Sequence, residues 1–445
     1  MAAQKETSLR GTKQSHDATA NNKQIATKSV ITSQPSLRGG TTKQSASLKP
    51  KLRFKEFEGE WENEEFGTLV NRSKSKYNPA KENMSLPCIE LECLSQETGI
   101  LLKTFDSIEQ KSIKNRFIEG EILFGKLRPY LKKYLKAPFE GVCSSEIWVL
   151  KGIKLDNEYL YHLLQTHKFN LEVNITSGSK MPRAEWEYIS NVKFKFPKRP
   201  EQQKIANFLT AVDTKLQQLT TKKETLEQYK KGVMQQLFSQ QLRFKPDVIA
   251  RTQDDAISPN ETEFPDWEEK KLGEVCDVNP KNSQLPTSFV YIDLESVEKG
   301  ILIKENEIDL EEAPSRAQRM LEVNDILFQT VRPYQMNNLY FNKTGDYVAS
   351  TGYAQLRTKE SSMFLYQLLH THHFVNKVLE RCTGTSYPAI NSNDLAKIKF
   401  KFPSLKEQKK IANYLSAIDL KIEAVQTQIT KTQAFKKGLL QAMFV

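Results

Sequence analysis

Two stretches of this chain, 206 positions apart, match each other without a gap, and that duplication constrains the fold more than any single residue. Lys193-Phe-Lys-Phe-Pro197 returns as Lys399-Phe-Lys-Phe-Pro403, Glu201-Gln202 as Glu407-Gln408, and Lys204-Ile-Ala-Asn207 as Lys410-Ile-Ala-Asn413. Asp213, Lys230-Lys-Gly232 and Phe238 return as Asp419, Lys436-Lys-Gly438 and Phe444, so that 21 of 46 aligned positions are identical. The repeat extends upstream: Trp61 with Phe66-Gly67 corresponds to Trp267 with Leu272-Gly273, and Gly99-Ile-Leu101 to Gly300-Ile-Leu302. Ile122-Leu-Phe124 with Arg128-Pro-Tyr130 corresponds to Ile326-Leu-Phe328 with Arg332-Pro-Tyr334. Offsets fall to 201 and 204 in these middles and return to 206 at Gly178-Ser179 and Gly384-Thr385, so a common frame holds different loops. A chain built this way is a pseudo-twofold object.

After each Phe-Pro the apolar residues fall on an alternating four-and-three spacing. In the first copy these are Ile205, Leu209, Val212, Leu216, Leu219, Leu226, Val233 and Leu237; in the second, Ile411, Leu415, Ile418, Ile422, Val425, Ile429, Leu439 and Met443. Such a stripe, with no breaker before Gly232 and Gly438, predicts two coiled-coil helices of roughly 50 Å each. A lone stripe commonly pairs between molecules, but two in one chain can zip together. If they pair antiparallel, the globular units before them are carried to opposite ends of a spacer.

The 445 residues suit two such units, and the expected order has six parts. Residues 1–50 contain no aromatic residue and repeat Ser-Leu-Arg-Gly internally, which reads as a disordered low-complexity extension. A first globular domain over 51–200 is followed by a helix over 201–240 and a linker over 241–261. A second domain over 262–405 and a helix over 406–445 complete the chain. Short β-branched and aromatic runs such as Ile147-Trp-Val-Leu150 predict strands, while Glu158 to Phe169 and Ser362 to Leu379 read as helical. The fold class is therefore α/β or α+β, with a twisted sheet in each unit.

The net charge of +11 suits a polyanionic partner. The excess is uneven, however, near +4 over 51–200 and near −6 over 241–400, so charge alone argues weakly for nucleic acid. Five cysteines without a C-x-x-C pair suggest neither a disulfide framework nor a thiolate zinc site. With no run of 18 apolar residues and no secretion signal, a cytoplasmic protein without membrane contact is expected.

The duplicated marks resemble one family, the specificity (S) subunit of type I restriction-modification systems, over about residues 52–445. They are the order domain, helix, domain, helix; the Phe-Pro then Glu-Gln-x-Lys-Ile-Ala that opens each helix; Ile-Leu-Phe-x-x-x-Arg-Pro-Tyr in each domain; and Ser177-Gly-Ser-Lys-Met-Pro-Arg183. The resemblance implies two target recognition domains, each reading one half of a split site on double-stranded DNA. It also implies that the paired helices set the gap and bind two methyltransferase (M) subunits. Motor and nuclease (R) subunits would join through the complex. S-adenosylmethionine, ATP and Mg would then be held by those partners, with no catalytic, metal or cofactor site in this chain.

Two segments per domain are candidates for DNA contact. Lys126, Arg128, Tyr130, Lys132 and Lys133 could clamp phosphates or present a guanidinium to guanine, with Arg332 and Tyr334 as the second copy. The Arg-Pro-Tyr could equally be structural. The glycine loops, with Ser177, Ser179, Lys180 and Arg183 in one copy and Thr383, Thr385 and Ser386 in the other, would let backbone amides approach a phosphate, or merely turn the chain. Pro246-Asp247 before Glu268-Glu269-Lys270 matches a nuclease pattern only by letter, spanning the linker. His370, His372 and His373 read as an amphipathic helix surface, and Asn78-Pro79 and Asn279-Pro280 lack the methyltransferase pocket pattern. No phosphate-binding G-x-x-x-x-G-K-[ST] occurs. A coiled-coil adaptor without sequence-specific DNA binding is the rival reading.

Overall fold

The structure, a computed structural model, describes residues 49–82, 84–175, 181–246, 263–282, 284–384 and 386–445. Within residues 48–445, which form one compact unit, two α/β heads are joined by two long helices, Arg199–Phe238 and Leu405–Met443. Residues 1–48 of the extension expected over 1–50, and most of the 241–261 linker, lie outside the described residues.

In the first head Glu62–Glu65 pairs antiparallel with Lys193–Phe196, which feeds the central helix. In the second, Glu268–Lys271 pairs with Lys399–Phe402, and the register Glu62↔Phe196 recurs as Glu268↔Phe402. A four-stranded antiparallel sheet follows in each. Its order is Val70–Arg72, Ile147–Gly152, Ile122–Gly125, Tyr134–Lys136 in one copy and Cys276–Val278, Tyr353–Thr358, Ile326–Gln329, Leu339–Tyr340 in the other. Ile122, Leu123 and Phe124, and Ile326, Leu327 and Phe328, are fully buried, because these strands are covered on both faces. A second sheet in each head joins Pro87–Ile89 to Gly141–Cys143 and Ser288–Ile292 to Tyr347–Ser350, both parallel.

The expected helices over 158–169 and 362–379 are each two helices: Asn157–Leu163 with His167–Val173, and Ser362–Leu369 with His372–Leu379. The cause is Thr166 and Thr371, whose hydroxyls accept from the N–H groups of Phe169 and Phe374 and start a new helix in mid-pattern. His372 and His373 are exposed as expected, but His370 is not on that surface. Its ring packs tilted at 59° against that of Tyr366, centroids 4.4 Å apart, and its Nδ1 lies 2.8 Å from the Tyr366 carbonyl. Gly99 and Gly300 each have positive φ, and a Cβ there would strike the hydroxyl of Tyr161 or Tyr366, so only glycine fits.

The long helices of 40 and 39 residues run antiparallel for about 60 Å at 1.5 Å per residue. Leu219, Val425 and Ile429 form their dry centre, flanked by half-buried Leu216 and Leu226. Toward the ends the seam merges with the heads. Ile205 and Leu209 pack with Leu439 and Met443 in the first core; Val233 and Leu237 pack with Ile411, Leu415 and Ile418 in the second, beside half-buried Ile422. Val212 lines the first core. Two crossed ion pairs fix this register: Lys436 Nζ lies 2.6 Å from Asp213, and Lys230 Nζ 2.7 Å from Asp419. The pseudo-dyad carries one pair onto the other, Lys436 onto Lys230 and Asp213 onto Asp419.

The repeated Glu-Gln at the start of each helix has a physical reason. Glu201 and Glu407 are buried, and a buried carboxylate must be paired. Trp61 Nε1 donates to Glu201 at 3.3 Å and Trp267 Nε1 to Glu407 at 3.1 Å. Arg53 reaches Glu201 at 2.7 Å, and Arg243 reaches Glu407 at 2.8 Å. These arginines lie in a second repeat, Leu52-Arg53-Phe54-Lys55 and Leu242-Arg243-Phe244-Lys245, whose offset is 190. Residues 242–244 follow the central helix covalently, whereas 52–54 meet the end of the C-terminal helix in space. The N–H of Leu242 donates to the Gln236 carbonyl at 3.1 Å, and that of Leu52 to the Ala442 carbonyl at 2.9 Å.

Candidate nucleic-acid interface

Both Arg-Pro-Tyr segments are strained turns of one design. A strand ends at Gly125 or Gln329, and a 3-10 turn follows over Pro129–Leu131 or Pro333–Gln335. Arg128 (φ 51°) and Lys132 (φ 47°) bracket the first turn in the left-handed region, and Arg332 (φ 53°) and Met336 (φ 51°) the second. Such a conformation costs a non-glycine residue about 1 kcal/mol or more, so neighbours must hold it. The neighbours are the glycine loops: Arg128 N–H donates to Pro182 O at 2.8 Å and Arg332 N–H to Pro388 O at 2.7 Å. Turn and loop, apart in sequence, are thus one surface in each head.

The prolines are buried while the tyrosines stand out, Tyr130 at 52% and Tyr334 at 49% exposure. Buried proline anchors the turn, while each tyrosine leaves about half of its surface to solvent. Arg128 is exposed, whereas Arg332 lies over the ring of Tyr387 at 4.4 Å, itself exposed. Lys126 is half-buried and bonded through its backbone to Glu146 and Ala184.

Other candidates have partners inside the chain. Arg183 Nε is 3.0 Å from Glu146, Lys132 Nζ is 2.7 Å from Glu97, and Lys133 Nζ donates to the Leu91 carbonyl at 2.7 Å. Thr383 is bridged through its backbone to Ala389, and Ser386 is exposed. Ser177, Ser179, Lys180 and Thr385 lie outside the described residues. Among the described residues no group of three or more His, Cys, Asp or Glu is placed to hold a metal ion, and no helix is long and apolar enough to cross a membrane. Cys88, Cys93, Cys143 and Cys276 are buried, and burial pushes the Cys88 and Cys276 thiols up to about 12.

Where each head meets the rod, sequence reasoning missed a polar network. Lys436 bridges Asp213 and the Gln165 side-chain amide oxygen, at 2.6 Å each. Burial holds the Asp213 carboxyl above its ordinary value despite Lys436. Burial, with Lys436 adding to it, pushes the His162 imidazole down to about 3, so it is neutral beside Thr210, its Nε2 at 3.1 Å. At the other end Gln367 takes the place of His162 and donates to Asp419 at 2.8 Å. The repeated Asp and Lys identities were the available signal.

The type I restriction modification DNA specificity domain model matches residues 55–228 and 265–432, one match per head with its helix. The chain belongs to that family. The MjaVIII specificity subunit of a type I restriction enzyme from Methanocaldococcus jannaschii is 26% identical over 344 residues, covering 73% of this chain and 75% of the relative. The putative MjaX specificity subunit of the same organism is 23% identical over 427 residues, covering 88% and 95%. A solved type I restriction-modification S subunit from M. genitalium covers 89% of this chain and 99% of its own at a TM-score of 0.56 and 16% identity, a likeness of fold. Family and fold agree with the doubled architecture, and nothing in them favours the adaptor reading.

Proposed function

We propose that this specificity-family chain is the DNA-reading, non-catalytic subunit of a type I restriction-modification complex. Each head reads one half of a bipartite site on double-stranded DNA, and the antiparallel helices hold the two heads at a fixed separation. The observation that carries this reading is the pair of matching heads, alike in frame and unlike in loops, at opposite ends of a rod with crossed ion pairs. A rigid spacer of this kind converts two short contacts into recognition of half-sites at one spacing along the duplex.

In this reading the turn residues Arg128, Tyr130, Arg332 and Tyr334 meet DNA, together with Lys126 and the glycine loops. Paired Arg183, Lys132 and Lys133 chiefly shape the surface. The rod docks two methyltransferase subunits, which bring S-adenosylmethionine and take up the target adenine after it flips from the stack. Motor and nuclease subunits bring ATP and Mg, and the complex works in the cytoplasm. Footprinting of the chain assembled with its methyltransferase tests this. Two protected patches separated by an unprotected gap are expected; absence of any sequence-dependent footprint would leave only a scaffold.

A further inference from the structure

We infer that Arg319 is a base-reading residue of the second head, presenting its guanidinium to the acceptor edge of a guanine. The inference rests on the DNA-reading function proposed above and adds a residue that neither turn nor glycine loop contains.

Acids are in excess in this head, and planar guanidinium groups are few among its cations. Of the five arginines in residues 263–403, Arg357 is locked onto Asp325 by two bonds of 2.8 Å. Arg381 donates to the Lys377 carbonyl at 3.1 Å. Arg316, Arg319 and Arg332 make no ion pair among the described residues, and the backbone gathers them. Thr351 N–H donates to Arg316 O at 2.9 Å, and Thr330 N–H to Gly352 O at 3.1 Å. Thr330 lies two residues before Arg332, which opens the strained turn. Arg319 stands on the edge strand Ala317–Met320, three residues on from Arg316 and just past an irregularity in register.

Its setting differs from theirs. Nε of Arg319 is buried with no hydrogen-bond partner, while the residue as a whole is half-buried. Burial alone lowers its pKa, with no acid nearby to oppose it. A donor left unpaired in this way costs the free protein stability. The first head shows what a structural residue does at the same place. Asn115 pairs with Cys143, which pairs with Ile89; Arg319 pairs with Ala349, which pairs with Ile292. Asn115 is fully employed, accepting from Lys76 at 2.6 Å and donating to the Ile147 carbonyl at 2.8 Å. One frame thus carries a satisfied amide in one head and a guanidinium with an unpaired Nε in the other.

Exposed arginines on mobile side chains suit phosphates. A fork held by a strand and partly desolvated is preorganised for a planar, bidentate acceptor, and guanine O6 and N7 supply one. The test uses full-length chain assembled with its methyltransferase, on the site that the wild type methylates and on duplexes varied one position at a time. Arg319→Met should lose about ten- to a hundredfold in discrimination at one guanine of one half-site, with the other half unchanged. Arg319→Lys, which keeps the charge and loses the fork, should lose nearly as much. Thermal stability of Arg319→Met should be equal or higher. Unchanged discrimination in both variants, a loss shared equally by non-cognate DNA, or failure of both to fold would overturn the assignment. If the wild type itself showed no sequence preference, the proposed function would fail first, and Arg319 with it.

Discussion

Lys436→Met leaves Asp213 at the head and rod junction without its cation, and the fold sets the size of the effect. The ammonium is 12% exposed and the carboxylate 26%, so this is a largely buried pair. Removing one partner of a fully buried pair costs about 3–5 kcal/mol; with partial exposure about 2–3 kcal/mol is expected at pH 7. Protonation of Asp213 caps the loss. From the ordinary value of 3.8 to pH 7, at about 1.4 kcal/mol per unit, the cap is about 4 kcal/mol, and it is lower because burial already raises this group. A folded pKa above the unfolded one means that the folded state holds the proton more tightly. The deficit of the variant should therefore shrink as pH falls from 7 toward 4. The pseudo-dyad supplies the control: Asp419 is 40% exposed and keeps Gln367, so Lys230→Met should cost only about 1 kcal/mol. Urea unfolding of both variants, with an Asp213→Asn cycle, is the assay. Equal costs at the two ends, or a Lys436→Met deficit that does not shrink with acid, would refute the reasoning.

Three further outcomes follow from the same structure. His162→Gln, the residue of the other copy, should flatten the acid limb. The wild type loses about 3 kcal/mol between pH 6.5 and 4, because the unfolded imidazole takes a proton that the folded one refuses until about 3; pH-dependent unfolding checks this. Leu219→Ala at the dry centre of the rod should cost about 2 kcal/mol by denaturant titration, the low end for a leucine, since its small cluster can close in. Lys126→Ala with Arg128→Ala should weaken DNA binding by the assembled complex and lower the salt slope by about 0.9 for each phosphate no longer neutralised.

The fold class was legible because a duplication prints itself twice. Two heptad stripes at one offset imply two helices in one chain, and identical Phe-Pro lead-ins imply equivalent strands before them. Strand order was not legible, since short strands such as Cys276–Val278 acquire their partners only through contacts many tens of residues away. The Leu-Arg-Phe-Lys repeat was not legible because its offset is 190 where the rest of the repeat runs near 206. Arg183 looked like a free cation beside its glycine loop, yet its partner Glu146 lies 37 residues upstream. Arg319 carried no motif; only a strand register compared between heads sets it opposite Asn115.

Exchanging one head tests the whole account. Residues 68–190 are replaced by the corresponding region of a related subunit, with both long helices left intact, and methylated positions are mapped by single-molecule sequencing. The two-headed architecture predicts that one half of the methylated motif changes while the other half and the gap stay as they were. A folded, assembled chimera that altered both halves, changed the gap, or marked one undivided motif would contradict it.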